Sequence, residues 1–162
     1  MADEATLLII KPDAIKHGLV GAVLSYLEPL RLEVIAAKVL RVERAVAEAH
    51  YQHIRNKPFF GETVDYLEGK LHGVSSVLAF VYWGEQAVER VRHMAGATHP
   101  EKAEPLSIRG ALGRMRTSGL MENVVHTSST SEEALREIPL WFRPSEILRP
   151  LPGVVFGRPA AV

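Results

Sequence analysis

The sequence predicts one compact domain in which strands alternate with helices, an α/β or α+β fold. Three observations predict it. The chain has 162 residues, enough to bury a real core and suited to one domain. Two runs, "TLLII" at 6–10 and "SSVLAFVYW" at 75–83, have strand length and a strand's apolar, β-branched or aromatic content. Between and after them, apolar residues recur at helical spacing.

"TLLII" is wholly apolar and closed by Lys11-Pro12-Asp13, which marks a buried strand. From Gly18 to about Pro29, the positions Leu19, Val23, Tyr26 and Leu30 predict a helix. "EVIAAKVLRVE" (33–43) predicts a second strand, weakened by its alanines. Residues 44–56 return to helix, with Val46, His50 and Ile54 on one face and Ala47 and Tyr51 beside it. A short helix is expected from Gly61 to Glu68, then the strand at 75–83. The helix at 85–95 packs with Val88, Val91 and Ala95, and Gly96 is its expected cap. Residues 97–122 carry prolines and glycines and predict a long irregular stretch, which in a small domain is usually functional or else misread. Residues 123–127 form the expected last strand. Thr130 with Glu133 fits a capping box, as does Ser129 with Glu132 one position earlier. Ala134, Leu135 and Ile138 give the helix that follows its apolar face, and Pro139 is expected to end it. From about Pro144 a surface tail is expected.

Composition excludes several classes. Nineteen basic and nineteen acidic residues balance, so no global field argues for nucleic acid or membrane, and any basic site must be local. Cysteine is absent, which removes disulfides and thiolate metal sites. No window approaches the roughly 20 apolar residues of a membrane span, and the acidic N-terminus lacks a signal-like apolar stretch. A soluble cytoplasmic protein is the expectation. Neither G-x-x-x-x-G-K-[ST] nor G-x-G-x-x-G occurs. His50 and His53 stand at i,i+3, but no further ligands at matching spacing accompany them, so helix-face histidines are the better reading. Phe80 and Tyr82 share a strand face without a basic glycine-aromatic RNA-binding run, which favours core packing.

The remaining signal is a scatter of polar residues around His126, which ends the last strand and faces a helix carrying Glu137. Ahead of it lie Lys11 at a strand end, Tyr51, Phe59 and Arg92; Thr98, Arg109 and Asn123 lie in or beside the long loop. In order along the chain they fall within "IIKPDA" (9–14), "GLVG" (18–21), "HY" (50–51), "KPFF" (57–60), R-x-M-x-G-x-T-x-P (92–100), P-x-S-I-R-G (105–110), N-x-x-H-x-S (123–128) and E-I-x-L-W-F (137–142). Together these resemble the nucleoside diphosphate kinase family over residues 5–147, nearly the whole chain.

That resemblance implies an α+β, ferredoxin-like fold, a four-stranded antiparallel sheet covered by helices, with the domain at 1–147 and a C-terminal tail at 148–162. It implies transfer of the γ-phosphate of a nucleoside triphosphate to a nucleoside diphosphate, with Mg²⁺, through a phosphohistidine at His126. Such a covalent intermediate makes the kinetics ping-pong. By the same resemblance Arg92, Thr98 and Arg109 hold phosphates, with Tyr51 and Lys11 near them. Lys11 and Asn123 read the ribose, Phe59 stacks on the base, and Glu137 with Ser128 orients His126. No dedicated protein ligand for the metal is implied. Family members assemble as hexamers or tetramers, so a homo-oligomer is expected, with 97–109 as the contact between dimers. The chain departs from the family pattern at Ala111 and Ser129, where Asp is usual, and at Glu122, where a basic residue is usual; its 110–122 segment is also longer. Those departures motivate one alternative, a kinase-like nucleotide-binding or regulatory module with little turnover. A ferredoxin-like nucleic-acid binder is the other, and the neutral charge speaks against it.

Overall fold

The computed structural model describes residues 3–157. Its centre is a four-stranded sheet in the order β2-β3-β1-β6, built from β1 (Asp3–Ile10), β2 (Glu33–Arg41), β3 (Ser76–Glu85) and β6 (Val125–Thr127), with every pairing antiparallel. This is the ferredoxin-like α+β arrangement. Two short strands, β4 (Arg114–Met115) and β5 (Met121–Glu122), pair as a separate hairpin.

Helices cover both faces, which explains why β1 lacks polar alternation. Leu7 and Ile9 face a core shared with α3 (Arg44–His50), α4 (Phe60–Leu67) and α7 (Ser131–Trp141), through Ala47, Val64, Leu67, Ala134 and Ile138. Leu8 and Ile10 face the other core, with α1 (Pro12–Lys16), α2 (Val20–Leu27), α5 (Ala87–Ala95) and α6 (Ile108–Leu112). Phe80 and Tyr82 stack on each other at 6.0 Å and pack in that second core. Among the described residues no helix is long and apolar enough to cross a membrane.

The structure differs from the sequence expectations in four places. Lys11-Pro12-Asp13 does more than close β1, because Pro12 opens α1 from its first turn, where a missing N–H costs nothing. The stretch 97–122 is not irregular. It holds a 3₁₀ turn at Pro100–Lys102, α6 and the β4–β5 hairpin, and the Ser107 hydroxyl caps α6 by accepting from the Gly110 N–H at 3.1 Å. Pro139 does not end α7, which runs on to Trp141. A proline in a helix interior costs about 3 kcal/mol, but Pro139 sits in the last turn. There the buried Trp141, whose indole N–H donates to His50 Nδ1 at 3.2 Å, holds the helix in place.

The C-terminal segment is the fourth difference. Leu148 and Val155 are exposed as expected of a surface tail, yet the Leu148 N–H donates to the Ile35 carbonyl at 2.9 Å and Leu151 is buried in the core. Residues 158–162 lie outside the described residues. Thr130 caps α7 from its side chain, accepting from the Glu133 N–H at 3.1 Å. The return arm reaches one residue further back, with Glu133 accepting from the Ser129 N–H at 2.6 Å.

Candidate active site

His126 lies opposite Ile9 in the sheet register, so its ring projects toward the layer of α3 and α7. Its Nε2 stands 3.0 Å from Glu137 Oε2. The Ser128 hydroxyl donates to the same oxygen at 2.7 Å while accepting from the Leu7 N–H at 3.3 Å. Ser128 has one proton, which cannot face the Leu7 N–H and is aimed at Glu137, and Oε2 is therefore an acceptor. It follows that His126 carries its proton on Nε2 and keeps a free lone pair on Nδ1.

His50 stands edge-on to this ring at 4.2 Å and is itself fully buried. Since its Nδ1 accepts from Trp141, it is a neutral wall. Burial, with the neighbouring His126 adding to it, holds His50 well below the ordinary histidine value. Burial also holds His126 well below it, and the positive charges of Lys11 and Arg109 act in the same direction. Burial raises the Glu137 carboxyl, against the opposing pull of His50 and the Ser128 hydrogen bond.

His126 lines a cavity of about 320 Å³. Eight of the ten residues singled out from the sequence line it: Lys11, Tyr51, Phe59, Arg92, Thr98, Arg109, Asn123 and His126. Ser128 and Glu137 lie behind the histidine, buried. Lys11, just past the end of β1, donates from Nζ to Asn123 Oδ1 at 2.7 Å and lies over the Tyr66 ring. Asn123 Nδ2 donates in turn to the Thr98 carbonyl at 3.1 Å. Arg109 donates to the Gly96 and Val125 carbonyls at 2.7 and 2.9 Å, which ties α6 to the end of α5 and to the strand of the histidine. Gly96 has φ +80° and a Cβ there would meet the Ser107 hydroxyl at 2.2 Å, so only glycine permits this approach. Arg92, in the last turn of α5, donates to Ser129 Oγ at 2.7 Å. Phe59 is 52% exposed at the mouth, and Tyr51 is a neutral phenol, its pKa pushed up by burial.

Val124 stores strain beside the site. It has φ +68° and is bridged by a Val125 N–H to Asn123 carbonyl bond at 2.7 Å, a tight three-residue turn that a β-branched residue adopts only when its surroundings force it. Asp13 Oδ2 accepts the Val124 N–H at 3.0 Å, and the Lys11 N–H donates to the Val124 carbonyl at 2.9 Å.

The comparisons with known proteins agree with this geometry. A family model described as nucleoside diphosphate kinase matches residues 4–147. The nucleoside diphosphate kinase of Pyrococcus horikoshii is 43% identical over 144 residues, covering 89% of this chain and 88% of that protein. That of Staphylococcus haemolyticus is 43% identical, covering 89% and 91%. The chain belongs to the nucleoside diphosphate kinase family. Among solved structures, a transition-state mimic of the enzyme from Borrelia burgdorferi with bound vanadate and ADP has a TM-score of 0.81 at 34% identity, covering 91% of each chain. A halophilic nucleoside diphosphate kinase from Halobacterium salinarum in complex with CDP has a TM-score of 0.81 at 33% identity, covering 91% and 93%.

Set in the nucleoside diphosphate kinase fold, the three departures separate. Ala111 is exposed on α6 and does not line the cavity. Ser129 does line it, and gives Arg92 a neutral hydroxyl, leaving the guanidinium charge uncompensated by that residue. Glu122 is buried in the hairpin. Tyr66, Thr63, Leu120 and Met121, which the sequence does not single out, also line the cavity, as does His53, expected as a helix-face histidine. For Thr63 and Tyr66 the signal was available, since i,i+3 spacing on α4 puts them on one face just after Phe59.

His50, His126 and Glu137 are the one group among the described residues whose donor atoms could converge on a metal, within 4.8 Å. His126 Nε2 and His50 Nδ1 already have partners, and Lys11 and Arg109 act on this ring as positive neighbours. The group is a hydrogen-bonded support for the histidine rather than a cation cage.

The electrostatics give a pH dependence with a definite sign. Lys11 is pushed down to about 7 by burial and then by Arg109, against Asp13. Activity that needs its charge, read as kcat/KM for ATP, should fall as pH rises above about 7. Lys11→Arg should remove that limb. The fold itself gains stability over the interval, because the unfolded chain then binds the lysine proton and the native one does not, so unfolding cannot mimic the effect. On the acid side both buried histidines take protons more readily when unfolded. The thermal midpoint should therefore drop as pH falls through about 6.5.

Proposed function

We propose that this chain is a nucleoside diphosphate kinase working through a phosphohistidine at His126. The carrying observation is a neutral imidazole, held in one tautomer by Glu137, on the wall of a cavity that also presents Lys11, Arg92 and Arg109. The Nδ1 lone pair attacks the γ-phosphorus of a nucleoside triphosphate. A P–N bond forms, the bond to the bridging oxygen breaks, and the diphosphate leaves with that electron pair. A terminal oxygen of a second nucleoside diphosphate then attacks the phosphohistidine, and the electron pair returns to Nδ1.

A neutral imidazole needs no separate base, so positioning and charge neutralisation are what the reaction asks of the protein. Arg92, Arg109 and Thr98 hold the phosphates, with Tyr51 and Lys11 beside them. Lys11 and Asn123 address the ribose, and Phe59 at the mouth stacks on the base. Stacking accepts any base, which suits low base selectivity. Ser128 and Glu137 hold the histidine ring and favour the charge it gains in the transition state. Mg²⁺ supplies charge neutralisation on the phosphates. Among the described residues the lining carboxylates are Glu62 and Glu133, and the ion would be carried in by the nucleotide. A binding module with little turnover would have no use for the Leu7–Ser128–Glu137–His126 chain of hydrogen bonds. Initial rates at several fixed donor concentrations test the reading: parallel double-reciprocal lines are expected, and intersecting lines would contradict a covalent intermediate.

The proposed place of work is the cytoplasm, where nucleoside triphosphates are used and regenerated. The segment 148–162 is proposed as an appendage to the catalytic domain, since the family match ends at 147. The working form is proposed to be a homo-oligomer, hexamer or tetramer. Leu106, 85% exposed in the 97–109 loop, and Val39, exposed on the sheet's edge strand, support it. Light scattering on the eluting peak should give a tetramer or hexamer, and a monomer would overturn the assignment. Leu106→Asp should split the assembly into dimers.

A further inference from the structure

Glu122 is a buried carboxylate to which the phosphate chemistry gives no task. It is 2% exposed at the end of the β4–β5 hairpin. Its Oε1 accepts from His72 Nε2 at 3.0 Å and its Oε2 from Arg114 Nε at 2.5 Å. Arg116 Nη1 approaches Oε1 at 3.8 Å. Arg114 also donates from Nη2 to His17 Nε2 at 2.6 Å. Burial works to raise the Glu122 carboxyl, but the hydrogen bonds from Arg114 and His72 outweigh it and hold the group below the ordinary value. It is an ionised acceptor with both oxygens engaged.

Its partners come from separate parts of the chain. His17 follows α1, His72 lies in the loop after α4, and Arg114 belongs to the facing strand of the hairpin. The hairpin is therefore pinned on one side through Arg114 and His17, and on the other through His72. The next two residues are fixed as well. The Asn123 N–H donates to the Tyr66 hydroxyl at 3.2 Å, and the Tyr66 ring lies 5.0 Å from the His72 ring. Val124 is held by Asp13. Three consecutive residues, 122 to 124, are thus each held by a different element. Immediately before them Leu120 and Met121 line the cavity, and Asn123 holds Lys11 within it.

We propose that Glu122 is a positioning residue of the nucleotide pocket. It locks the hairpin so that the wall of Leu120 and Met121, and the Asn123–Lys11 pair, stand ready for the base and ribose of a nucleotide. The inference rests on the nucleotide-binding reading above. It assigns Glu122 an effect on nucleotide binding and little on phosphate transfer, because His126 and its supports lie on other elements.

A buried carboxylate that loses its charge leaves its cationic and donor partners mismatched, so Glu122→Gln should loosen the hairpin while preserving its volume. Calorimetry should show the dissociation constant of ADP rising about tenfold in this variant, while the single-turnover rate of His126 phosphorylation at saturating MgATP stays within about threefold. His72→Phe should shift ADP binding in the same direction by less. The double variant should be no worse than Glu122→Gln, because the two act through one contact. Wild-type ADP affinity in Glu122→Gln overturns the proposal, as does a loss that falls on the saturated rate. Should that variant not fold, by near-ultraviolet circular dichroism, His72→Phe and Arg114→Met carry the same expectation and the same refutation. A wild-type chain that neither binds ADP nor takes phosphate from ATP would defeat the kinase reading instead.

Discussion

His126→Ala should lower the turnover of nucleoside diphosphate to triphosphate by at least about 10⁴-fold, an effect of the size seen when a covalent nucleophile is removed. Three groups close to His126 offer no replacement. Lys11 is engaged with Asn123 and is a cation below about 7, Tyr51 is a neutral phenol, and His50 has its Nδ1 committed to Trp141 behind the reactive ring. Binding should survive, because the arginines, Phe59 and Asn123 do not touch the histidine ring's function. A variant that keeps ADP affinity near wild type yet takes no phosphate is the expected result. Substantial turnover by His126→Ala, measured with a coupled assay on chain free of host enzyme, would remove His126 from the chemistry.

Glu137→Gln should cost about 10²- to 10³-fold in turnover with little change in nucleotide affinity. Oε2 now accepts two hydrogen bonds, from Ser128 and from His126 Nε2. An amide can present its oxygen there, and then the tautomer is kept but the negative charge facing the imidazolium-like transition state is gone. If it presents its NH₂ instead, the imidazole must accept at Nε2, and the proton moves to the nitrogen that should attack. Stability should move the other way. Because burial raises the Glu137 carboxyl, its folded value lies above the unfolded one and the ionised group is carried at a cost near neutral pH. Replacing it with a neutral isostere should leave the thermal midpoint level or higher. A drop in activity with a rising midpoint is the signature of a residue kept for function. A falling midpoint with intact activity would reverse that assignment.

Much of the fold was legible in the sequence because the two dominant signals, apolar runs and helical spacing, act over whole elements. β1 reads as a strand because both of its faces are buried, β3 because its run is β-branched and aromatic, and α5 reads as a helix that stops where Gly96 takes φ +80°. What failed to register was local. Pro12 reads equally well as a strand stop and as a helix start, and Pro139 carries the signal of a helix breaker although it sits in a last turn anchored by Trp141. The short elements of 97–122 have too few residues to show a period, and their order comes from side-chain tethers, among them Ser107, Arg109 and Glu122.

The site was legible to a different degree. The ten residues expected in it come from their order in the chain, which carries the family resemblance; eight of them line one cavity, and spacing alone would not have assembled them. Lys11 and Asn123 are 112 positions apart and meet at 2.7 Å. No sequence pattern states that the Ser128 hydroxyl takes the Leu7 N–H and so directs its proton to Glu137. Nor could the strain at Val124 be read, because valine is a strand former and only tertiary hydrogen bonds force it to positive φ.

A phosphate carried on His126 would be visible in the intact mass of the chain after brief incubation with MgATP and after a chase with GDP. One added phosphate is expected that is acid-labile, is discharged by GDP with formation of GTP, and is absent from His126→Ala. A chain that binds ATP but stays at its unmodified mass, or one whose adduct persists in His126→Ala, would contradict it.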